Sequence, residues 1–136
     1  MTAESTESVA LSGRVVEADV LVVDDEADLR NSVSEVLRTA GYTVAEAEDG
    51  AVAFHLLQAN RYGMVLLDLR MPKLDGVSLL EALGEVPPVV IHSAFTVSPE
   101  ERQRLSVKVV RYLHKPVSPR QLLEAVHGVL GAGSTD

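Results

Sequence analysis

The chain has 136 residues, enough for one domain with a buried core and too few for two ordinary ones. Its net charge of -8 argues against a basic face that grips phosphate backbones, so no direct nucleic-acid binding is expected. The lack of cysteine excludes disulfides and thiolate metal sites, and no apolar run approaches the ~20 residues that span a bilayer.

Residues 1–17 read as a flexible leader rich in Ser, Thr and Glu. The start, "MTAESTESVA", lacks the basic and apolar segments of a signal peptide. A cytoplasmic chain without membrane attachment is the expectation. "DVLVV" (19–23) is the first predicted strand, and a helix follows over 26–40. There Leu29, Val33, Val36, Leu37 and Ala40 form one apolar stripe. "YTVAEAE" (42–48) alternates, as an edge strand does. Asp49 caps a second helix through about residue 59, with Ala53, Leu56 and Leu57 inward. "MVLLD" (64–68) is the third strand, and a short helix follows Asp75-Gly76. "PVVIHSA" (88–94) and "VVRYLH" (109–114) are the last two strands. "SPEE" (98–101) and "SPRQ" (118–121) each place a Ser cap, a Pro at the first helical position and an acceptor at the third. The last helix buries Leu122, Leu123, Val126, Val129 and Leu130, although Gly128 weakens it. "GAGSTD" (131–136) reads as a tail, which leaves 18–130 as the domain.

Strands alternating with helices predict an α/β fold, a parallel sheet covered on both faces. Right-handed crossovers leave few topologies, and 2-1-3-4-5 is the simplest order for five strands. Ligands of such sheets bind beyond the carboxyl ends of the strands, where the order reverses. Asp24 and Asp25 end the first strand and Asp68 the third, so three carboxylates converge on that crevice. Ser93 ends the fourth strand, and Lys115 follows the fifth.

Clustered carboxylates repel, by about 4 kcal/mol per pair at roughly 4 Å and an effective dielectric of about 20. Either one acid takes up a proton or a cation sits among them. Hard oxygen donors with room for water suit Mg²⁺, with Mn²⁺ as the alternative. Together with the Lys115 cation, that matches the charge of the three acids, and a divalent ion that keeps exchangeable waters accepts an incoming anion such as a phosphoryl group. Asp68 is then a nucleophile forming an acyl phosphate, with Ser93 and Lys115 holding the other oxygens.

"VLVVDDE" (20–26), "VLLDLRMPKLDG" (65–76), "IHSA" (91–94) and "RYLHKP" (111–116) resemble the receiver domain of two-component response regulators. The resemblance implies a flavodoxin-like (βα)5 sandwich of the CheY type. It implies that Asp68 is the phosphoacceptor and that Asp25, Asp68 and the Arg70 carbonyl bind the metal directly, with Asp24 acting mainly through water. Ser93 becomes the switch hydroxyl, Lys115 the phosphate-binding lysine before a cis Pro116, and Tyr112 the aromatic that turns inward. A sensor histidine kinase or histidine phosphotransfer protein becomes the donor. The face made by the fourth helix, fifth strand and fifth helix becomes the surface for a second copy or an output protein.

The sequence departs from the family pattern in three places. The stretch from Asp68 to Ser93 is short, so the third helix or its exit loop is clipped. Arg70 sets a long cation beside the site. "LSVKVV" (105–110) lacks a small-residue turn, which predicts an irregular fourth helix.

Each residue also has a plainer reading. Asp24 and Asp25 can cap a helix, Asp68 and Ser93 can be strand exits, and Lys115 can be a solvated lysine. Tyr112 can be strand packing with a wet hydroxyl. "PEERQR" (99–104) reads as a solvated helix face, and the four histidines show no metal spacing. His92 and His114 are expected on the sheet face opposite their functional neighbours. Two other functions compete. A haloacid-dehalogenase-like aspartyl-phosphate hydrolase would carry Asp-x-Asp on the first strand and would turn over phosphate esters. A receiver-like scaffold would never take a label from acetyl phosphate.

Overall fold

The computed structural model describes residues 16–71 and 75–131. Most of the leader (1–15), most of the tail (132–136) and part of the "MPKLDG" stretch (72–74) lie outside the described residues. Ten elements alternate: β1 (Ala18–Val23), α1 (Ala27–Thr39), β2 (Val44–Ala47), α2 (Gly50–Ala59), β3 (Tyr62–Leu67), α3 (Gly76–Ala82), β4 (Val89–Ser93), α4 (Pro99–Leu105), β5 (Val109–His114) and α5 (Pro119–Leu130). The strands form one parallel sheet in the order β2-β1-β3-β4-β5.

Side-chain alternation splits the core into two layers. Leu21, Val23, Val65, Leu67, Val89 and Ile91 pack beneath α2, α3 and α4. Val20, Val22, Met64, Leu66 and Val90 pack beneath α1 and α5 with Leu37, Leu122 and Val126. β1, β3 and β4 are therefore buried on both faces, which explains their unbroken apolar runs. The edge strands β2 and β5 are half-exposed and read as mixed sequence.

Local chemistry sets the helix starts. Asp49 and Asp75 accept hydrogen bonds from the amides of Val52 and Ser78 at the starts of α2 and α3. Ser98 and Ser118 form the expected capping boxes with Glu101 and Gln121. α3 and α4 are short, at seven residues each. Lys108, just before β5, donates to the carbonyls of Leu80 and Leu83 at the end of α3. A register shift at Val89/Val90 accompanies this turn.

Candidate functional site

Asp68 follows β3 directly, and its amide donates to the carbonyl of Val23 on β1 at 3.0 Å. That bond carries the ladder one step past the strand, so the ends of β1 and β3 stay in register. Asp24 is held in the same way by its amide bond to Ala47 of β2. Both aspartates are buried, at 2% and 7% exposure, while Asp25 between them and α1 is exposed. One carboxylate oxygen from each of Asp24, Asp25 and Asp68 lies within 4.8 Å of the others. Two neighbouring acids on one short segment thus take different positions: one points inward and one stays wet.

Lys115 offsets the repulsion. Its Nζ donates to Asp24 Oδ2 at 2.9 Å and to Asp68 Oδ2 at 3.3 Å. The Lys115 amide donates to the Ser93 carbonyl at 2.8 Å, which ties the end of β5 to the end of β4. The Lys115–Pro116 peptide is cis, as the resemblance implies. Burial opposes the Lys115 charge. The Asp24 hydrogen bond and the charges of Asp68 and Asp24 outweigh it and hold the ammonium above its ordinary pKa. Burial raises the Asp68 pKa, against the lowering effects of the Arg70 amide and Lys115. The remaining oxygens are also held. Asp24 Oδ1 accepts from the Glu26 amide at 2.9 Å, so the plainer reading, a helix-entry acid, describes part of its role. Asp68 Oδ1 accepts from the Arg70 amide at 3.1 Å.

Ser93 is buried at the end of β4, and its Oγ accepts from the Phe95 amide at 3.1 Å. It is thus turned to its own loop. Tyr112 is half-buried against the core, with the Arg102 guanidinium 4.0 Å from its ring centre. His92 lies on the α1/α5 side of the sheet, the face opposite Ser93. It is buried, and it lines a cavity of about 360 Å³ with Leu29, Val33, Lys115, Pro116 and Leu122. Burial first, and then the Lys115 charge, lower its pKa from 6.5 to about 4. His114 is exposed, and the pairing of Ser93 with His114 puts it on the Ser93 side of the sheet.

The "PEERQR" face is solvated as expected, with all of its residues exposed except the half-buried Glu101, but its charges have partners within the fold. Glu101 receives a two-pronged hydrogen bond from Arg70, Nη1 to Oε2 and Nη2 to Oε1, each at 3.2 Å. Arg102 covers Tyr112, and Arg104 pairs with Glu81 of α3 at 2.6 Å. The Arg70 pair lowers the Glu101 pKa and raises that of Arg70. Sequence reading missed these partners because they lie far away along the chain.

Five parallel strands in this order, with acids and a lysine at their carboxyl edge, define a CheY-like flavodoxin fold. The response regulator receiver domain family matches residues 20–127, and the chain belongs to it. Response regulator MprA of a Mycobacterium species is 34% identical over 120 residues, covering 86% of this chain and 52% of MprA. Transcriptional regulatory protein PrrA of Mycobacterium tuberculosis is 38% identical over 114 residues, covering 82% of this chain and 49% of PrrA. The chain therefore spans about half the length of these relatives. Among solved structures, chemotaxis protein CheY4 of Vibrio cholerae aligns with a TM-score of 0.74 at 34% identity, covering 83% of this chain and 98% of CheY4.

Proposed function

We propose that Asp68 is the phosphoryl acceptor of this receiver, with a histidine kinase or a histidine phosphotransfer protein as donor. A carboxylate oxygen of Asp68 attacks phosphorus and forms an O–P bond. The P–N bond of the donor phosphohistidine breaks, and its electron pair leaves with the imidazole. The observation that carries this reading is the Lys115 ammonium, bonded at once to Asp24 and Asp68. A cation held there is placed to neutralise charge on the arriving phosphoryl oxygens.

The donor set fits a hard divalent ion, since three carboxylates approach closely and the exposed Asp25 leaves room for water. Asp24, Asp25, Asp68 and the Arg70 carbonyl would hold Mg²⁺, or Mn²⁺ in its place. When bound, the ion supplies further neutralisation of the transferring oxygens. The Ser93 hydroxyl, whose oxygen accepts from the Phe95 amide, turns to donate its proton to a phosphoryl oxygen, Tyr112 follows, and the face of α4, β5 and α5 changes. That face meets an output partner or a second copy. The protein is a cytoplasmic signalling module rather than an enzyme with a diffusible substrate. Support for that comes from the adjacent acids on β1, where a hydrolase of the alternative class carries Asp-x-Asp. No helix of the described residues is long and apolar enough to cross a membrane.

Incubation with acetyl phosphate and Mg²⁺, read by intact mass, tests the assignment. The native chain is expected to gain one phosphoryl adduct. Asp68→Ala is expected to gain none while keeping its thermal transition. A stable adduct on Asp68→Ala would overturn the assignment. An unlabelled native chain would favour the scaffold reading, and sustained turnover of a small phosphate ester would favour the hydrolase.

A further inference from the structure

Arg70 stands two residues beyond Asp68, in the loop that leaves β3, yet its guanidinium is committed elsewhere. Among the described residues, both of its side-chain partners belong to the β4–α4 segment. Glu101 of α4 takes the two-pronged hydrogen bond, and the Phe95 ring lies 5.9 Å from the guanidinium carbon. The same Phe95 donates its amide to Ser93 Oγ. Glu101 is tied in turn to the first turn of α4, where its Oε1 accepts from the Ser98 amide. One guanidinium thus joins the acceptor loop to the Ser93 loop and to the start of the helix behind it. The negative charges that reach Arg70 are Glu101, Asp75 and Asp68, so it already senses the acceptor carboxylate.

We propose that Glu101 is a positioning residue: it holds Arg70 away from the acceptor in the unmodified protein and competes with the phosphoryl group on Asp68 for that guanidinium. This inference rests on the reading of Asp68 as the acceptor. The pair is partly exposed, at 37% for the Arg70 side chain and 20% for Glu101, so it is weak enough to exchange. A phosphoryl group offers more negative charge than a carboxylate and suits the guanidinium fork equally well. Transfer of Arg70 to it unpins the first turn of α4. The Arg70 contacts with Glu101 and with the Phe95 ring, which join the β3 loop to the β4–α4 segment, are released together. α4 has only seven residues, and its start is then held by the Ser98–Glu101 capping box without the Arg70 tie. Arg102, the next residue, rests on Tyr112, so the release extends to β5.

Glu101→Gln separates charge from capping. Gln121 occupies the same capping-box position in α5, so a glutamine at 101 keeps the cap and loses the ion pair. Affinity for beryllofluoride, a tetrahedral phosphoryl mimic, is measured with saturating Mg²⁺ by calorimetry. The set comprises the native chain, E101Q, R70A, the double variant and S98A. E101Q is expected to bind roughly threefold to tenfold more tightly than the native chain, and the gain is expected to vanish in the R70A background. S98A loosens the cap without touching Arg70 and is expected to show no such gain. An E101Q affinity at or below the native value overturns the proposal. So does a gain that survives R70A, or one that S98A reproduces, since either traces the effect to helix fraying. A native chain that binds beryllofluoride without responding to E101Q sinks this inference alone. A native chain that neither binds beryllofluoride nor takes a label on Asp68 sinks the acceptor assignment with it.

Discussion

β3 and β5 are both six-residue strands of one sheet, and each leads straight into a residue of the site. β3 is buried almost throughout, between β1 and β4 and under helices on both faces. β5 is an edge, with Val110, Arg111 and His114 exposed and Tyr112 half-buried. The proposed nucleophile thus hangs from the most constrained part of the molecule, and the proposed readout from one of the least constrained. A reacting carboxylate must be held within a fraction of an ångström. A signalling element must have two arrangements close in energy, which few buried contacts permit.

Paired truncations test that contrast most strongly. Leu67→Ala, at a fully buried position beside Asp68, is expected to cost about 2–5 kcal/mol in urea unfolding. Val110→Ala on β5, 58% exposed, is expected to stay within about 0.5 kcal/mol. Comparable losses at the two positions would erase the distinction.

pH gives the next largest effect. His92 on β4 is buried, and its pKa falls from 6.5 to about 4 on folding. The unfolded chain therefore binds the extra proton first as pH drops. The contribution is intact above pH 6.5 and is lost progressively toward pH 4, by up to about 3 kcal/mol. His92→Leu is expected to flatten that limb of the stability profile. An unchanged acid limb in the variant would show that other groups produce it.

Gly76 sharpens the comparison at smaller scale. A Cβ there would sit 2.9 Å from Leu69 Cα and 3.1 Å from the Asp68 carbonyl oxygen. Its amide donates to the Leu69 carbonyl at 2.9 Å, so α3 starts directly against the acceptor loop. Gly76→Ala is expected to cost about 1–3 kcal/mol and to slow labelling of Asp68. The same change at Gly84, where an added Cβ would meet nothing within 4 Å, is the matched control.

Much of the architecture is legible along the chain because its causes are local. The Ser-Pro starts of α4 and α5 and the Asp starts of α2 and α3 need only residues three positions apart. The buried strands announce themselves by composition, since a strand covered on both faces has no polar side to show. Even the meeting of Asp24, Asp68 and Lys115 follows from strand order, as each stands at a strand's carboxyl end.

The charges of α4 were another matter. Glu101 lies 31 residues from Arg70, and Arg104 lies 23 from Glu81. Nothing in "PEERQR" separates a solvated arginine from one stacked on Tyr112. His92, too, reads as an ordinary strand residue, although it is buried beside the cavity that reaches Lys115.

Sequence alone determined the alternation of elements, their caps, the two-faced burial of the central strands and the edge at which the acids meet. These depend on periodicity and on contacts within a turn, which the order of residues encodes directly. Only the tertiary structure decided that Lys115 bridges Asp24 and Asp68, that Arg70 is held by Glu101, and that Ser93 turns to Phe95. Those choices depend on which of several nearby partners each long or mobile polar side chain reaches, and that is settled by distances across the fold.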